Sequence, residues 1–343
     1  MIIGKANNDI EIYLDIVKKH NDNNFIYISG NSGTGKTSFV KHIAKEAEKD
    51  GIPCVIIDFS DSYRLQDMSK KFSPLININV EEIGLGINPF TTQIKFIDGK
   101  PYTENAYDIA ERLTELISNC LKIKSNIQKN VLNKAILTEV KNNGENSNFK
   151  NIAELCDGND VANKLFPLTK PNLFIQPLKW EDYIIPGVTT VFQFSDVNQH
   201  KRILFAEMLL ADLWNETKKG KLETYILCLD EIQHLTFNTG STMESMLREG
   251  RKYNLSLILS TQFIDNKNRN MRELTEQAAM KIFFKPSDSA LCSTAKMIDI
   301  ENYKNWMPLL QNLKRGEFIF TGNGIVKGVP KDIKAKLKFN FLG

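Results

Sequence analysis

The sequence predicts an α/β fold, with a mainly parallel central sheet flanked by helices and a helical insertion, on three observations. Cys54–Asp58 is a continuous apolar run, and Val188–Phe194, Tyr225–Leu229 and Leu255–Leu259 are mostly apolar segments of the same kind, as in strands buried on both faces. Stretches of helical spacing lie between strands: Phe39, Val40, Ile43, Ala44 and Ala47 follow the apolar run Phe25–Ser29, and Ile203, Leu204, Ala206, Leu209, Leu210, Leu213 and Trp214 fill 198–218. Strand, crossover helix and strand in that order predict a right-handed parallel unit.

Composition bounds the function. A chain of 343 residues with 42% hydrophobic and 25% charged residues has the makeup of a globular protein with a large core. One domain, 1–343, is the expected organisation, with residues 103–180 as a helical insertion within it. The formal net charge of +3 does not advertise nucleic acid, so any DNA contact must rest on local basic patches. No apolar run reaches the length of a membrane span, and the N-terminal segment lacks the apolar core of a signal peptide. The expected compartment is the cytosol, without membrane insertion. Five scattered cysteines without a C-x-x-C pair support neither a disulfide framework nor a zinc site, and Cys54 and Cys228 read as small buried hydrophobes.

Taken in order, residues 9–20 place Ile10, Tyr13, Ile16 and Val17 at the spacing of a short amphipathic helix. Only residues 1–24 precede the first core strand, which leaves no space for a substantial N-terminal domain. The strand Phe25–Ser29 then feeds Gly30-Asn31-Ser32-Gly33-Thr34-Gly35-Lys36-Thr37-Ser38. This is a phosphate-binding loop: its glycines let successive N–H groups turn inward, Lys36 reaches the β and γ phosphates, and Thr37 supplies a magnesium ligand at a helix N-terminus. ATP and Mg2+ are the expected cofactors.

Gly51-Ile52-Pro53 breaks the next helix before the strand Cys54–Asp58. Asp58 and Asp61 follow at the edge where open α/β sheets bind ligands, placed either near the nucleotide or a neighbouring subunit, or as caps of the following helix. Residues 75–98 read as short strands and turns, and 104–165 as mostly helical, with a polar loop at 141–148. The helix over 198–218 closes on Lys218-Lys219-Gly220, cations at the negative end of its dipole.

Tyr225–Leu229 runs into Asp230-Glu231, the Walker B arrangement: Asp230 at the strand tip holds magnesium and Glu231 activates the attacking water. Leu255–Leu259 leads through Ser260 and Thr261 to Gln262, placed to sense the γ-phosphate or the lytic water. Arg248 and Arg251, three apart on one helix face, serve either as an arginine finger to a neighbouring subunit or as complements to the dipole of their own helix. The run Phe263 to Arg272, with Lys267, Arg269 and Arg272, is read either as a DNA-contacting pore loop or as a solvated charged loop.

In these motifs the chain resembles the HerA and FtsK superfamily of ring-forming P-loop ATPases, which includes conjugation and type IV secretion motors. The phosphate loop, Ile87-Asn88-Pro89-Phe90, Leu229-Asp230-Glu231-Ile232-Gln233-His234, Arg248-Glu249-Gly250-Arg251-Lys252-Tyr253 running into Leu259–Gln262, and the closing strand at Leu313–Ile319 carry the likeness. The resemblance implies a RecA-like P-loop NTPase domain, a homo-hexameric ring with nucleotide at subunit interfaces, and ATP-driven translocation on DNA, working with a nuclease or other effector. Three departures stand out, the first that the N-terminal β-barrel usual in HerA-like motors is expected to be lacking. Ser62 occupies the place of an acidic residue before the tyrosine, and Gln233 or His234 replaces a histidine near the Walker B glutamate. A protein-directed or assembly-switch ATPase of a secretion, conjugation or defence complex is the alternative.

Overall fold

The computed structural model describes residues 1–6, 9–16, 23–97, 100–158, 160–170, 173–174, 179–194, 197, 199–238, 240–262 and 269–340. The strands are β1 (Ile2–Lys5), β2 (Glu11–Tyr13), β3 (Phe25–Ser29), β4 (Cys54–Asp58), β5 (Leu75–Asn79), β6 (Ile94–Ile97), β7 (Lys100–Thr103), β8 (Thr189–Gln193), β9 (Tyr225–Leu229), β10 (Leu255–Thr261), β11 (Met280–Phe283), β12 (Glu317–Val326) and β13 (Val329–Lys338). The helices are α1 (Lys36–Lys49), α2 (Leu65–Met68), α3 (Val80–Ile83), α4 (Ala106–Cys120), α5 (Asn126–Asn143), α6 (Phe149–Leu155), α7 (Asp160–Leu165), α8 (Gln199–Lys218), α9 (Thr242–Glu249), α10 (Arg269–Glu276), α11 (Leu291–Ile298) and α12 (Tyr303–Gln311).

The chain divides into two compact units, one of Met1–Ile78, Glu181–Gln193 and Leu222–Gly343, the other of Asn79–Trp180 and Phe194–Lys221. The sheet of the first has the order β13-β1-β2-β12-β11-β3-β10-β9-β4-β8-β5. From β11 through β8 the neighbours are parallel. Strands β3, β4, β8, β9 and β10 are buried along their whole length, which is why their sequences are mostly apolar, the polar exceptions in β8 and β10 being Thr, Gln and Ser. β10 lies between β3 and β9, so the strand that feeds the glycine loop and the strand that ends at Asp230 are separated by a single strand in the sheet.

Helix α1 packs on the face carrying Ile26 and Ile28 of β3. Its Phe39 ring meets Phe318 at 5.1 Å and Phe339 at 5.3 Å between centroids, and Phe284 meets Phe318 at 5.4 Å. These edge and tilted ring contacts fix the start of α1 against the strands beside it.

One expectation fails at the N-terminus. Residues 9–20 do not form a helix where they are described: Glu11–Tyr13 is strand β2, paired antiparallel with β1 and β12. Ile12, Leu14 and Ile16 are buried, a period of two that outweighs the helical spacing of Ile10, Tyr13 and Ile16. Val17 and the remainder of that stretch lie outside the described residues.

The second unit is mainly helical. Asn105 caps α4 through a capping box, and Phe90 of the Asn-Pro-Phe turn packs on Phe149 at 5.0 Å, which meets Phe174 at 5.5 Å.

Candidate functional site

The loop between β3 and α1 is shaped by two close approaches. A Cβ on Gly30 would stand 2.5 Å from that of Phe284, and Gly35, at φ +118°, is in the left-handed half of backbone space, so both positions call for glycine. The loop is tied down by Asn31 N–H donating to Lys285 O at 2.8 Å and Gly316 N–H donating to Thr34 O at 3.1 Å. Within it, Thr34 Oγ1 donates to Asn31 O at 2.8 Å, and Ser32 N–H donates to Asn31 Oδ1 at 3.0 Å. Gly33, at φ 76°, completes the turn. Gly35 caps α1 without a side-chain acceptor, leaving the N-terminal amides as an anion-binding edge.

Lys36, Thr37 and Ser38 open α1. The Lys36 ammonium donates to Gly30 O at 2.8 Å and Asn31 O at 3.1 Å. Burial pulls its pKa down, against the attraction of Glu231 and Asp230. Thr37 Oγ1 donates to Asp230 Oδ2 at 3.3 Å. Asp230 is 2% exposed, and its carboxyl pKa is pushed up, first by burial and then by the neighbouring Glu231 charge.

A residue not singled out in the sequence shares that oxygen: Tyr63 Oη donates to Asp230 Oδ2 at 3.1 Å from a fully buried position. Asp58 places it. The Asp58 carboxylate accepts N–H bonds from Ser60 at 3.0 Å, Ser62 at 3.2 Å and Tyr63 at 3.0 Å, wrapping the chain into the turn that aims the phenol. Asp58 therefore organises this turn; it does not cap the following helix as expected, since α2 has Arg64 at its N-cap and no side-chain cap bond. Asp61 sits in the same turn at φ 62° and accepts from Gln193 Nε2 at 3.2 Å.

Glu231 adopts a left-handed backbone, φ 58° and ψ 48°, uncommon for a residue with a side chain. Both its carboxylate oxygens are held by amides: Gln262 Nε2 donates to Oε1 at 2.9 Å and Gln233 Nε2 donates to Oε2. Thr261 Oγ1 in turn donates to Gln233 Oε1 at 2.8 Å. Of the two residues that could take the histidine's place, Gln233 contacts Glu231, whereas His234 packs its ring by Phe59 at 6.3 Å.

The two arginines are elsewhere in the unit. Arg248, in the last turn of α9, is exposed and donates to Glu244 Oε1 at 2.8 Å. Arg251 is exposed on the 3₁₀ turn Gly250–Tyr253 that enters β10. The seven residues of β10 set that turn roughly 20 Å from the edge carrying Gln262. Of the basic run beyond Gln262, residues 263–268, with Lys267, lie outside the described residues, and Arg272 Nε donates to Glu276 at 2.8 Å.

With this geometry in place, solved structures can be compared. VirB4 of Thermoanaerobacter pseudethanolicus superimposes with a TM-score of 0.72 over 98% of this chain and 95% of its own, at 18% identity. The fold is that of RecA-like P-loop ATPases. The plasmid coupling protein TrwB, in complex with the ATP analogue ADPNP, matches with a TM-score of 0.65 over 93% of this chain and 86% of its own, at 12% identity. A family model described as novel STAND NTPase 3 matches residues 9–162, the part that contains the glycine loop. No curated protein matches. The sequence resemblance to ring-forming P-loop ATPases thus holds for the fold over nearly the whole chain.

Proposed function

We propose that the chain hydrolyses ATP with magnesium at this sheet edge and, as a homo-hexameric ring, moves along DNA as a translocase or helicase that works with a nuclease or other effector protein. The observation supporting it most is the convergence of loop Gly30–Ser38, Asp230, Glu231 and Gln262 at the carboxyl tips of three neighbouring strands.

In this reading the loop amides and Lys36 bind the phosphates, and Thr37 with Asp230 holds magnesium. Their meeting at 3.3 Å forms an all-oxygen donor set suited to a hard cation. The bound ion would neutralise charge on the transferring phosphate. Glu231 takes the proton of the attacking water, and Gln262, bonded to it, reports the state of the γ-phosphate side. Tyr63 holds Asp230 in place.

Arg248 and Arg251 stand at the far end of β10 from their own chain's loop, so an arginine finger at either position serves only the pocket of a neighbouring copy. DNA contact is assigned to the basic run that holds Lys267, Arg269 and Arg272. The fold shared with a plasmid coupling protein fits a DNA-directed motor.

The test is ATP turnover of the purified chain with and without DNA. DNA is expected to stimulate turnover at about 50 mM salt and to lose most of that effect by about 200 mM, as phosphate contacts require. Unstimulated turnover at low salt, with hexamers present by light scattering, would assign the chain to the protein-directed or assembly-switch ATPases of secretion, conjugation or defence complexes.

A further inference from the structure

A second site lies within the helical unit, away from the glycine loop. Between α4, α8 and the Asn-Pro-Phe turn is a cavity of about 40 Å³, larger than the roughly 10–15 Å³ that one water needs on this measure. One side of it is apolar, formed by Ile87, Leu113, Leu116 and Met208.

The other side comes from one face of α8, where Asp212, Asn215 and Glu216 follow Met208 at helical spacing. Asn215 is only 5% exposed and lines the cavity. Asp212 Oδ2 accepts from Trp180 Nε1 at 2.8 Å, the sole bond to this carboxylate among the described residues.

The charges around the cavity leave one anion over. Arg112 is committed to Glu104 at 3.1 Å and to the carbonyls of Pro89 at 3.2 Å and Thr91 at 3.3 Å. Glu216 is paired with Lys219. Asp212 alone has no cation at ion-pair distance; Lys219 and Arg112 act on it only from further off, and a partly buried carboxylate favours a closer partner. A metal is a poor fit, since one carboxylate without a direct ion pair and an aliphatic wall do not make a cation cage, and no metal-binding cluster occurs among the described residues. An organic cation satisfies both sides at once.

We infer that this cavity is a binding site for a primary ammonium group on a short aliphatic stem, with Asp212 taking the charge, the Asn215 carbonyl accepting an N–H bond, and the Leu113, Leu116 and Met208 side covering the stem. The site is independent of the nucleotide reading, so the two stand or fall separately. Free alkylamines and the lysine side chain share this chemistry.

The probe is n-butylammonium chloride, titrated at about pH 7.5 against the full chain, with melting temperature and tryptophan fluorescence as readouts. Sodium chloride at equal ionic strength and n-butanol are the controls. A saturable rise in melting temperature with butylammonium alone is expected, since ligand binding to the folded state shifts unfolding by mass action. The same titration with putrescine and with Nα-acetyl-lysine amide distinguishes a free amine from a lysine as the preferred source.

Asp212→Asn should weaken the apparent affinity at least about tenfold, the loss of one charge-assisted bond. Asn215→Ala is expected to weaken it about fivefold and keeps the test valid if the first variant does not fold. Lys36→Ala should leave the response intact. An equal shift with butanol, an unchanged affinity in both cavity variants, or the absence of a saturable response in the wild-type chain would overturn the site.

Discussion

Glu231 holds a left-handed backbone conformation that costs on the order of 1–3 kcal/mol in a residue with a Cβ, and its carboxylate is held by two glutamine amides. Glu231→Gln keeps the size and the backbone strain but removes the proton acceptor. The expected outcome is unchanged ATP binding with hydrolysis slowed about 10²–10⁴-fold, read by equilibrium binding beside single-turnover kinetics; normal turnover would remove Glu231 from the role of base. Tyr63→Phe deletes one hydrogen bond to Asp230 and little packing. That bond favours the ionised Asp230 against the upward push of burial, so without it the carboxyl protonates more readily. The acid limb of the kcat/KM profile should therefore move to higher pH, and the magnesium concentration for half-maximal activity should rise. A superimposable profile would show that Tyr63 only fills space.

Among the elements, the legible ones are those whose surroundings are uniform. Strands β3, β4, β8, β9 and β10 are buried on both faces, so mostly apolar segments announced them, and the loop Gly30–Thr37 stood out because close approach to Phe284 and the left-handed Gly35 admit glycine alone. The edge of the sheet was less readable. β2 is three residues long and half-exposed, and its alternation competes with a helical pattern in the same letters. Tyr63 could not be picked out because its place depends on three backbone amides folding onto Asp58 and on a strand 167 residues further along the chain. Gln233 and His234 were equivalent on paper, and only the 3₁₀ turn Ile232–His234 directs one to Glu231 and the other to Phe59. Phe39 tests how strongly α1 depends on its aromatic neighbours. Phe39→Ala should cost about 3–5 kcal/mol, measured by denaturant unfolding, and loosen the nucleotide loop that immediately precedes it.

At the scale of the molecule, two measurements bear on separate parts. Rings mixed from Lys36→Ala subunits and subunits carrying Arg248→Ala with Arg251→Ala should recover part of the lost ATPase if the finger crosses the interface, because some pockets then hold an intact loop facing an intact arginine. Loss of ATP binding in the arginine variant alone would point to a structural role for the pair. Stability against pH addresses Asp212, whose pKa is pushed up to about 6 by burial. A folded-state value above the ordinary 3.8 means that the folded chain prefers the neutral acid, so this group's contribution is full below about pH 4 and fades as pH rises through about 6. The difference between wild type and Asp212→Asn in unfolding free energy should change by on the order of 2 kcal/mol across that window.

Strand β10 joins two of the features described above. It is enclosed along all seven residues, begins at the turn that bears Arg251 and ends beside Gln262. A stiff rod clamped on both sides conveys displacement rather than absorbing it. In the proposed ring, the phosphate that grips the arginine belongs to the adjacent copy, so its release would be felt at the water-handling glutamine of the copy that lent the arginine. Firing order around such a ring would then be written into one short strand.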